Sequence, residues 1–408
     1  MRGLNLLVLL FVLLNSTLYA EEKDEKLEAY ISKTKKDQFK YDYKKSDVSS
    51  LKLRDSWISP LHLNFNYAKS NPYDNEQTSK STSIKMDQPI FQSGGIYYGI
   101  KFAEASKVYS NYTIDMQKRK LVKDAISLLM QIKQMDLRIQ KQKLRIKNSE
   151  INLAQKKEQY LSGQLDSGFL DNAIIERNVV IQALYDIQTN KERLVSKFHA
   201  ISDIDYKSAI IPHLKMLKKD DFLTYNIVIN ISKSEIEKNR YSKNVTTSKY
   251  LPRVSIVAGY NWDITENQQF GNTGAGFSGH TDYYNYGLRA TMPLDINTFR
   301  DIEASKLDYL KSKVVMEDKK RQLLAIYEQV MQNIANFDKK KALSMENKDI
   351  YEKLLSDTKS LYEAGYKTQY DVNLLQNSLE IQRIDLKIFD IDKQLELLTL
   401  YEMYKHEI

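Results

Sequence analysis

Tyr160-Leu161-Ser162-Gly163 returns half a chain later as Tyr362-Glu363-Ala364-Gly365, and each copy closes a long stretch of helix-forming sequence. Glycine ends a helix in the left-handed conformation that lets the next one turn back. Upstream of Gly365, Leu307, Leu310 and Val314, then Leu323, Tyr327, Val330, Ile334 and Phe337, recur every three or four residues. Lys319, Lys320, Arg321 and Glu328 fill the opposite face, so the spacing predicts one amphipathic helix from Asp301 to Glu363. At 1.5 Å per residue it is about 95 Å long. The first half has the same reach from Ile96 to about Leu161, and return helices are expected over 170–200 and 369–405. Helices of this length are coiled coils or stacked bundles.

The composition agrees. The 408 residues include 13 glycines, 6 prolines and no cysteine, about half the Gly and a third of the Pro of an average chain. The prolines stand at 60, 72, 89, 212, 252 and 293, so 90–211 and 294–408 contain none. Such tracts argue against an α/β enzyme, whose strands and helices alternate through breaker-rich loops. The absence of cysteine excludes disulfide staples, thiolate metal sites, cysteine nucleophiles and a lipidated N-terminal cysteine. A net charge of +8 is spread with mixed signs over every segment, which describes solvated helix faces rather than a nucleic-acid footprint.

Residues 1–20 read as an export signal: Arg2, an apolar run Leu4–Leu14, and Leu18-Tyr19-Ala20 before acidic Glu21-Glu22. The run is too short to span a bilayer, and no later segment offers about 18 uninterrupted apolar residues.

The Gly turns belong to a wider duplication. Leu61–Tyr67 has a counterpart in Val254–Tyr260, each closely after a proline, and Asp87–Phe91 has one in Thr291–Asp295. Two structural repeats follow, 21–213 and 214–408, each reading helix, strand, strand, long helix, Gly turn, helix, with tips near 163–171 and 364–371. The strands alternate. Leu61, Leu63, Phe65 and Tyr67 oppose His62, Asn64 and Asn66; Ile84 and Met86 oppose Ser83, Lys85 and Asp87. Val254, Ile256, Ala258, Tyr260, Trp262 and Ile264 form one face of the third strand, and Tyr284, Tyr286, Leu288, Ala290 and Met292 one face of the fourth. Period-two strands with a polar second face suit a half-buried sandwich or a membrane barrel. Tyr260, Trp262, Tyr284 and Tyr286 resemble an interfacial aromatic girdle and favour the barrel. Four strands cannot close one, and lipid does not tolerate an open sheet edge. Two copies would give eight strands and a plugged barrel, three would give twelve and a lumen.

At this point the chain resembles the TolC-like outer-membrane efflux proteins. The carrying residues are Gln88-Pro89-Ile90-Phe91-Gln92-Ser93-Gly94-Gly95, Tyr250-Leu251-Pro252-Arg253-Val254, and Tyr362-Glu363-Ala364-Gly365-Tyr366-Lys367-Thr368-Gln369-Tyr370-Asp371-Val372. The resemblance covers essentially the whole mature chain. It implies a mainly α protein with a membrane β-barrel portion: a homotrimer with a twelve-stranded barrel in the bacterial outer membrane and a periplasmic tunnel of helical hairpins. It further implies an exit duct for efflux or type I secretion, working with a periplasmic adaptor (membrane fusion protein) and an inner-membrane pump. It places adaptor contacts at the tips, Gly163, Gly365, Tyr366 and Thr368, and the pore constriction at Asp371. The gate link falls to Tyr362, Lys367 and Asp171. Two departures stand out: the acid often found one turn after Asp371 is Leu374 here, and Asp171 lies eight residues after Gly163 where Asp371 lies six after Gly365.

Gly274-Ala275-Gly276-Phe277-Ser278-Gly279 formally matches G-x-G-x-x-G but is expected in an external loop with no helix after it, so dinucleotide binding fails its structural test. The five histidines show no ligand spacing, and no metal site, nucleophilic triad, cofactor or enzyme emerges. A periplasmic coiled-coil adaptor or structural protein with a small β-sandwich is the alternative from another class. A nucleic-acid-binding coiled coil is set aside by the export signal.

Overall fold

The structure, a computed structural model, describes residues 29–71, 76–269 and 276–405; the export signal, 1–20, lies outside them. Its elements are α1 (Lys33–Arg54), a 3-10 turn (Asp55–Trp57), β1 (His62–Ser70), β2 (Gln77–Phe91), α2 (Gly95–Leu161) and α3 (Ser167–His199). There follow α4 (Lys219–Thr224), α5 (Ile227–Lys249), β3 (Arg253–Gln269), β4 (Gly276–Thr291), α6 (Thr298–Glu363) and α7 (Gln369–Met403). The long helices expected from the apolar spacing are α2, 67 residues, and α6, 66 residues. No described helix is long and apolar enough to cross a membrane.

Two sequence expectations change. β2 begins at Gln77, well before the alternation at Ile84 and Met86. Its first half, Gln77-Thr78-Ser79-Lys80-Ser81-Thr82-Ser83, is polar in both registers and shows no period. Ladders to β1 on one side and β3 on the other make it a strand. The glycine-rich motif is not wholly a loop: Gly276 to Gly279 already belong to β4, while 274 and 275 lie outside the described residues.

The chain forms two compact units that do not follow the halves of the sequence. One takes the described residues up to Tyr41, 114–228 and those from 319 onward; the other takes 42–113 and 229–318. Thus α2 and α6 each contribute to both.

In the first unit Leu129 and Ile132 of α2 and Phe198 of α3 are fully buried, with Leu194, Val195, Tyr206 and Ile211 packed against them. Leu323, Val330 and Ile334 of α6 and Leu397, Leu398 and Leu400 of α7 are buried as well. Burial of these side chains is what holds helices whose other faces are solvated.

The second unit contains one four-stranded antiparallel meander, β1-β2-β3-β4. β1 and β4 are its edges. Here α6 keeps its apolar period, yet Leu307, Leu310 and Val314 are exposed, as are Leu294, Ile296 and Phe299 just before and at its start.

Candidate functional site: the hairpin tips and the amphipathic sheet

The tips belong to the first unit. At both, glycine has a positive φ, +73° at Gly163 and +81° at Gly365. The N–H of Gly163 donates to the Tyr160 carbonyl (3.0 Å) and that of Gln164 to Gln159 (2.8 Å). At the second tip Gly365 donates to Tyr362 (2.9 Å) and Tyr366 to Leu361 (2.8 Å). These paired bonds are the Schellman closure of a helix end, and both tips use it.

The return helices start four residues after each glycine, at Ser167 and Gln369, but they are capped differently. Thr368 and Asp371 make a reciprocal capping box: the Thr368 hydroxyl accepts from the Asp371 N–H (3.3 Å), and Asp371 Oδ2 accepts from the Thr368 N–H (2.9 Å). The Thr368 hydroxyl also donates to Oδ2 at 2.8 Å. The Thr368 backbone and side-chain hydrogen bonds, with Lys367 nearby, hold the Asp371 carboxyl below the usual carboxylate range. The first tip has Asp166 at the cap position, and its side chain makes no capping bond.

Because both turns have one length, the position corresponding to Asp371 is Phe169, and Asp171 stands two residues further, exposed in the second turn of α3. Within the chain no hydrogen bond or ion pair among the described residues joins Asp171 to Tyr362 or Lys367. Tyr362 is partly exposed and Tyr366 almost wholly so.

What the chain does join at the tips is Tyr370 to Glu158. The phenol of α7 donates to Glu158 Oε1 on α2 at 3.0 Å, and this acceptor raises the Tyr370 pKa. It is the outermost rung of a polar ladder between α2 and α7. Asn377 donates to Asn148 (2.8 Å), Lys141 to Asp385 (2.5 and 2.7 Å) and Gln134 to Asp392 (2.5 Å). On α2 the inner three rungs, Asn148, Lys141 and Gln134, recur every seven residues, the repeat that keeps one face of a helix against its partner. Burial pushes the Asp392 carboxyl up, against the opposing effect of the Gln134 amide. Sequence reasoning missed Tyr370, Glu158 and the ladder, since no local signal links residues so far apart.

The sheet belongs to the second unit. Its registers carry each row of side chains straight across: Leu63–Ile84–Tyr260–Tyr284 and Phe65–Thr82–Trp262–Asp282 on one face, His62–Lys85–Gly259–Asn285 and Asn64–Ser83–Asn261–Tyr283 on the other. One face is thus apolar and aromatic over all four strands, the other built from amides, hydroxyls and a few charges. The apolar face is bare in the chain: Leu63 and Phe65 are each 71% exposed, Leu288 74% and Tyr286 81%. An apolar surface this continuous marks a protein or membrane contact.

Tyr260, Trp262, Tyr284 and Tyr286 all lie on that face in three adjacent rows, with the Tyr260 and Trp262 rings 4.3 Å apart. The Tyr260 hydroxyl donates to Asp282, a carboxylate on the same face, at 2.7 Å. Ion pairs stand toward either end of the sheet, Lys80–Glu266 (3.1 Å) and Asp87–Arg289 (2.8 Å). A Cβ at Gly259, on the polar face, would come within 2.6 Å of Asn285 Oδ1, so the Asn285 side chain would have to move aside.

Among the described residues no group of His, Asp and Glu is arranged to hold a metal ion.

Residues 229–404 match the model of the family described as "Outer membrane efflux protein". Among solved structures, the chain is similar to the outer membrane protein VceC from Vibrio cholerae at 13% identity and TM-score 0.68, over 90% of this chain and 93% of that one. It is also similar to the Campylobacter jejuni CmeC outer membrane channel at 10% identity and TM-score 0.69, over 94% and 86%. The Neisseria gonorrhoeae MtrE outer membrane channel, in its open state, aligns at 10% identity and TM-score 0.62 over 93% and 88%. No curated protein matches the chain by sequence. The signature of the outer membrane efflux protein family thus lies over 229–404, and the fold over nearly the whole chain is similar to that of solved outer-membrane channels.

Proposed function

We propose that three copies of this chain form a passive exit duct in the bacterial outer membrane, serving an inner-membrane pump through a periplasmic adaptor. The observation that carries this reading is the sheet, with a bare apolar face continuous over four strands and an open edge at β1 and β4. Lipid accepts such a sheet only when its edges are paired. β4 of one copy beside β1 of the next closes twelve strands around a polar lumen. The strands have 9 to 17 residues, enough for the roughly 9–11 that a tilted barrel strand needs. The exposed Leu307, Leu310 and Val314 of α6, which follows β4, and Tyr41, Val48 and Leu51 of α1, which precedes β1, supply apolar surface for the same neighbour contact.

The helical hairpins stand in the periplasm, where their tips, Gly163, Gly365, Tyr366 and Thr368, meet the adaptor. Asp371 from each copy forms a ring at the narrow end of the tunnel. Within each copy the Thr368 hydrogen bonds hold this carboxyl below the usual carboxylate range, and a ring of carboxylates favours cations. Tyr362, Lys367 and Asp171, unjoined within the chain, link neighbouring copies, while Tyr370–Glu158 links the two hairpins of one copy. Exposed contacts of this kind are worth about 0–1 kcal/mol each, weak enough for a docking partner to break.

Fractionation and planar-bilayer conductance test the reading. A sealed outer-membrane oligomer that conducts is expected, and a soluble or inner-membrane protein would sink it. Asp371→Ala should weaken block by polyvalent cations; unchanged block removes the constriction role. Lys367→Ala should raise resting conductance, and a quiet channel would count against the gate.

A further inference from the structure

We propose that a basic cleft at the helix-side end of the sheet binds the phosphate of an anionic phospholipid; this rests on the membrane-barrel reading above. The cleft has a volume of about 440 Å³ and is lined from the end of α1, the start of α2, the end of α5 and the start of β3. Three exposed cations, Arg54, Lys249 and Arg253, line it. Arg54 is held by Asp55 through Nε and Nη2 at 2.8 and 3.0 Å. Lys249 and Arg253 make no ion pair with any described carboxylate. The site therefore carries two uncompensated positive charges. The half-buried Trp57, Ile96 and Ile100 line the same cleft, so it offers cations and an apolar wall together.

A free inorganic anion would use the charges alone, whereas a phospholipid uses both. Depth favours the lipid too. Lys249 precedes β3 and Arg253 is its first residue, at the level of Val254 and Ile256, the first of β3 on the apolar face, although Arg253 itself alternates to the other face. This is the level where headgroups meet a barrel. Tryptophan is enriched at that level. The walls are fixed before any ligand arrives: the Ser93 hydroxyl donates to the Pro252 carbonyl at 2.7 Å, tying the β2–α2 turn to the start of β3. A Cβ at Gly95 would sit 3.2 Å from the Ser248 Cβ, so α2 and α5 approach as closely here as glycine allows.

The test uses full-length protein in nanodiscs of phosphatidylethanolamine with a minor fraction of phosphatidylglycerol, lipid retention being read by native mass spectrometry. Each charge removed should weaken retention of phosphatidylglycerol about fivefold, so the Lys249→Gln, Arg253→Gln pair should lose about 25-fold. Arg253→Lys and the remote control Lys319→Gln should retain it. Equal retention in the double variant, or displacement of the lipid by millimolar inorganic phosphate, would overturn the proposal. Assembly of a heat-resistant oligomer in the same discs reads the barrel independently, so a failed barrel and a failed lipid site give different results.

Discussion

At Asp371 the atoms that cap the helix are also the ones that hold the carboxyl below the usual carboxylate range. Its Oδ2 closes the capping box on Thr368, and its charge is kept by those same hydrogen bonds. A carboxyl whose folded pKa is depressed contributes stability above its unfolded pKa, near 4, and loses that contribution as pH falls through the lower folded value. Thr368→Ala should therefore cost about 1 kcal/mol of local helix stability at neutral pH. The expected readout is faster amide exchange in the first turn of α7, with the difference from wild type shrinking in strong acid. Gly365→Val places a β-branched side chain at φ +81° and should cost a further 1 kcal/mol or more. Nothing crowds a Cβ at that glycine, so the penalty is one of backbone conformation. The return helix expected over 369–405 already put Asp371 in its first turn; the bond to Thr368 came with the structure. The correspondence of Asp371 with Phe169 was not readable in the sequence, because it depends on where α3 begins.

Among the elements, α7 is tied by polar pairs on two sides, to α2 through the ladder and to α6 through Asn333–Glu396, Lys341–Asp390, Asp338–Lys393 and Glu352–Arg383. Lys141 and Asp385 are mostly buried, with side chains 20% and 16% exposed. Removing the lysine strands a carboxylate away from water, so Lys141→Ala should lower stability by about 1–3 kcal/mol, measured by thermal or denaturant melting of the helical signal. Asp392 behaves in the opposite sense. Its folded pKa is raised by burial, so its charged form costs stability at neutral pH. That cost fades as pH falls through the folded value toward the unfolded one. Asp392→Asn keeps an acceptor for Gln134 and should be more stable than wild type at pH 7. The two melting curves should converge near pH 4, and a variant less stable at pH 7 would show that the charge is wanted. The heptad spacing on α2 was visible in the sequence only as scattered polar residues, because the partner that makes it a ladder lies on the other hairpin.

For the whole molecule, the two faces of the sheet make opposite demands. Phe65→Arg places a charge on the apolar face and should cost about 2–4 kcal/mol in a lipid setting, read as lost outer-membrane assembly. Asn66→Arg, one residue away on the other face, should assemble normally and alter only conductance. If both variants assemble equally well, the apolar face does not meet lipid. Leu307 and Val314 are exposed although their helical spacing equals that of buried Leu323 and Val330. The apolar period therefore states that a face will be covered without stating by what, and along this stretch of α6 the chain supplies no cover.

By itself the sequence determined the order of elements, the two Gly-ended hairpins and the alternation of β1, β3 and β4. Each of these follows from local spacing: a period of 3.6, a period of two, or a glycine where φ must be positive. Only the tertiary structure decided the rest. It made the polar stretch Gln77–Ser83 a strand by pairing it on both sides. It ran four strands from two halves into a single meander with one apolar face. It joined Glu158 to Tyr370 and gathered Lys249 and Arg253 with Arg54 around one cleft. These are contacts between residues far apart in the chain, and their energies depend on which surfaces meet, which no local pattern encodes.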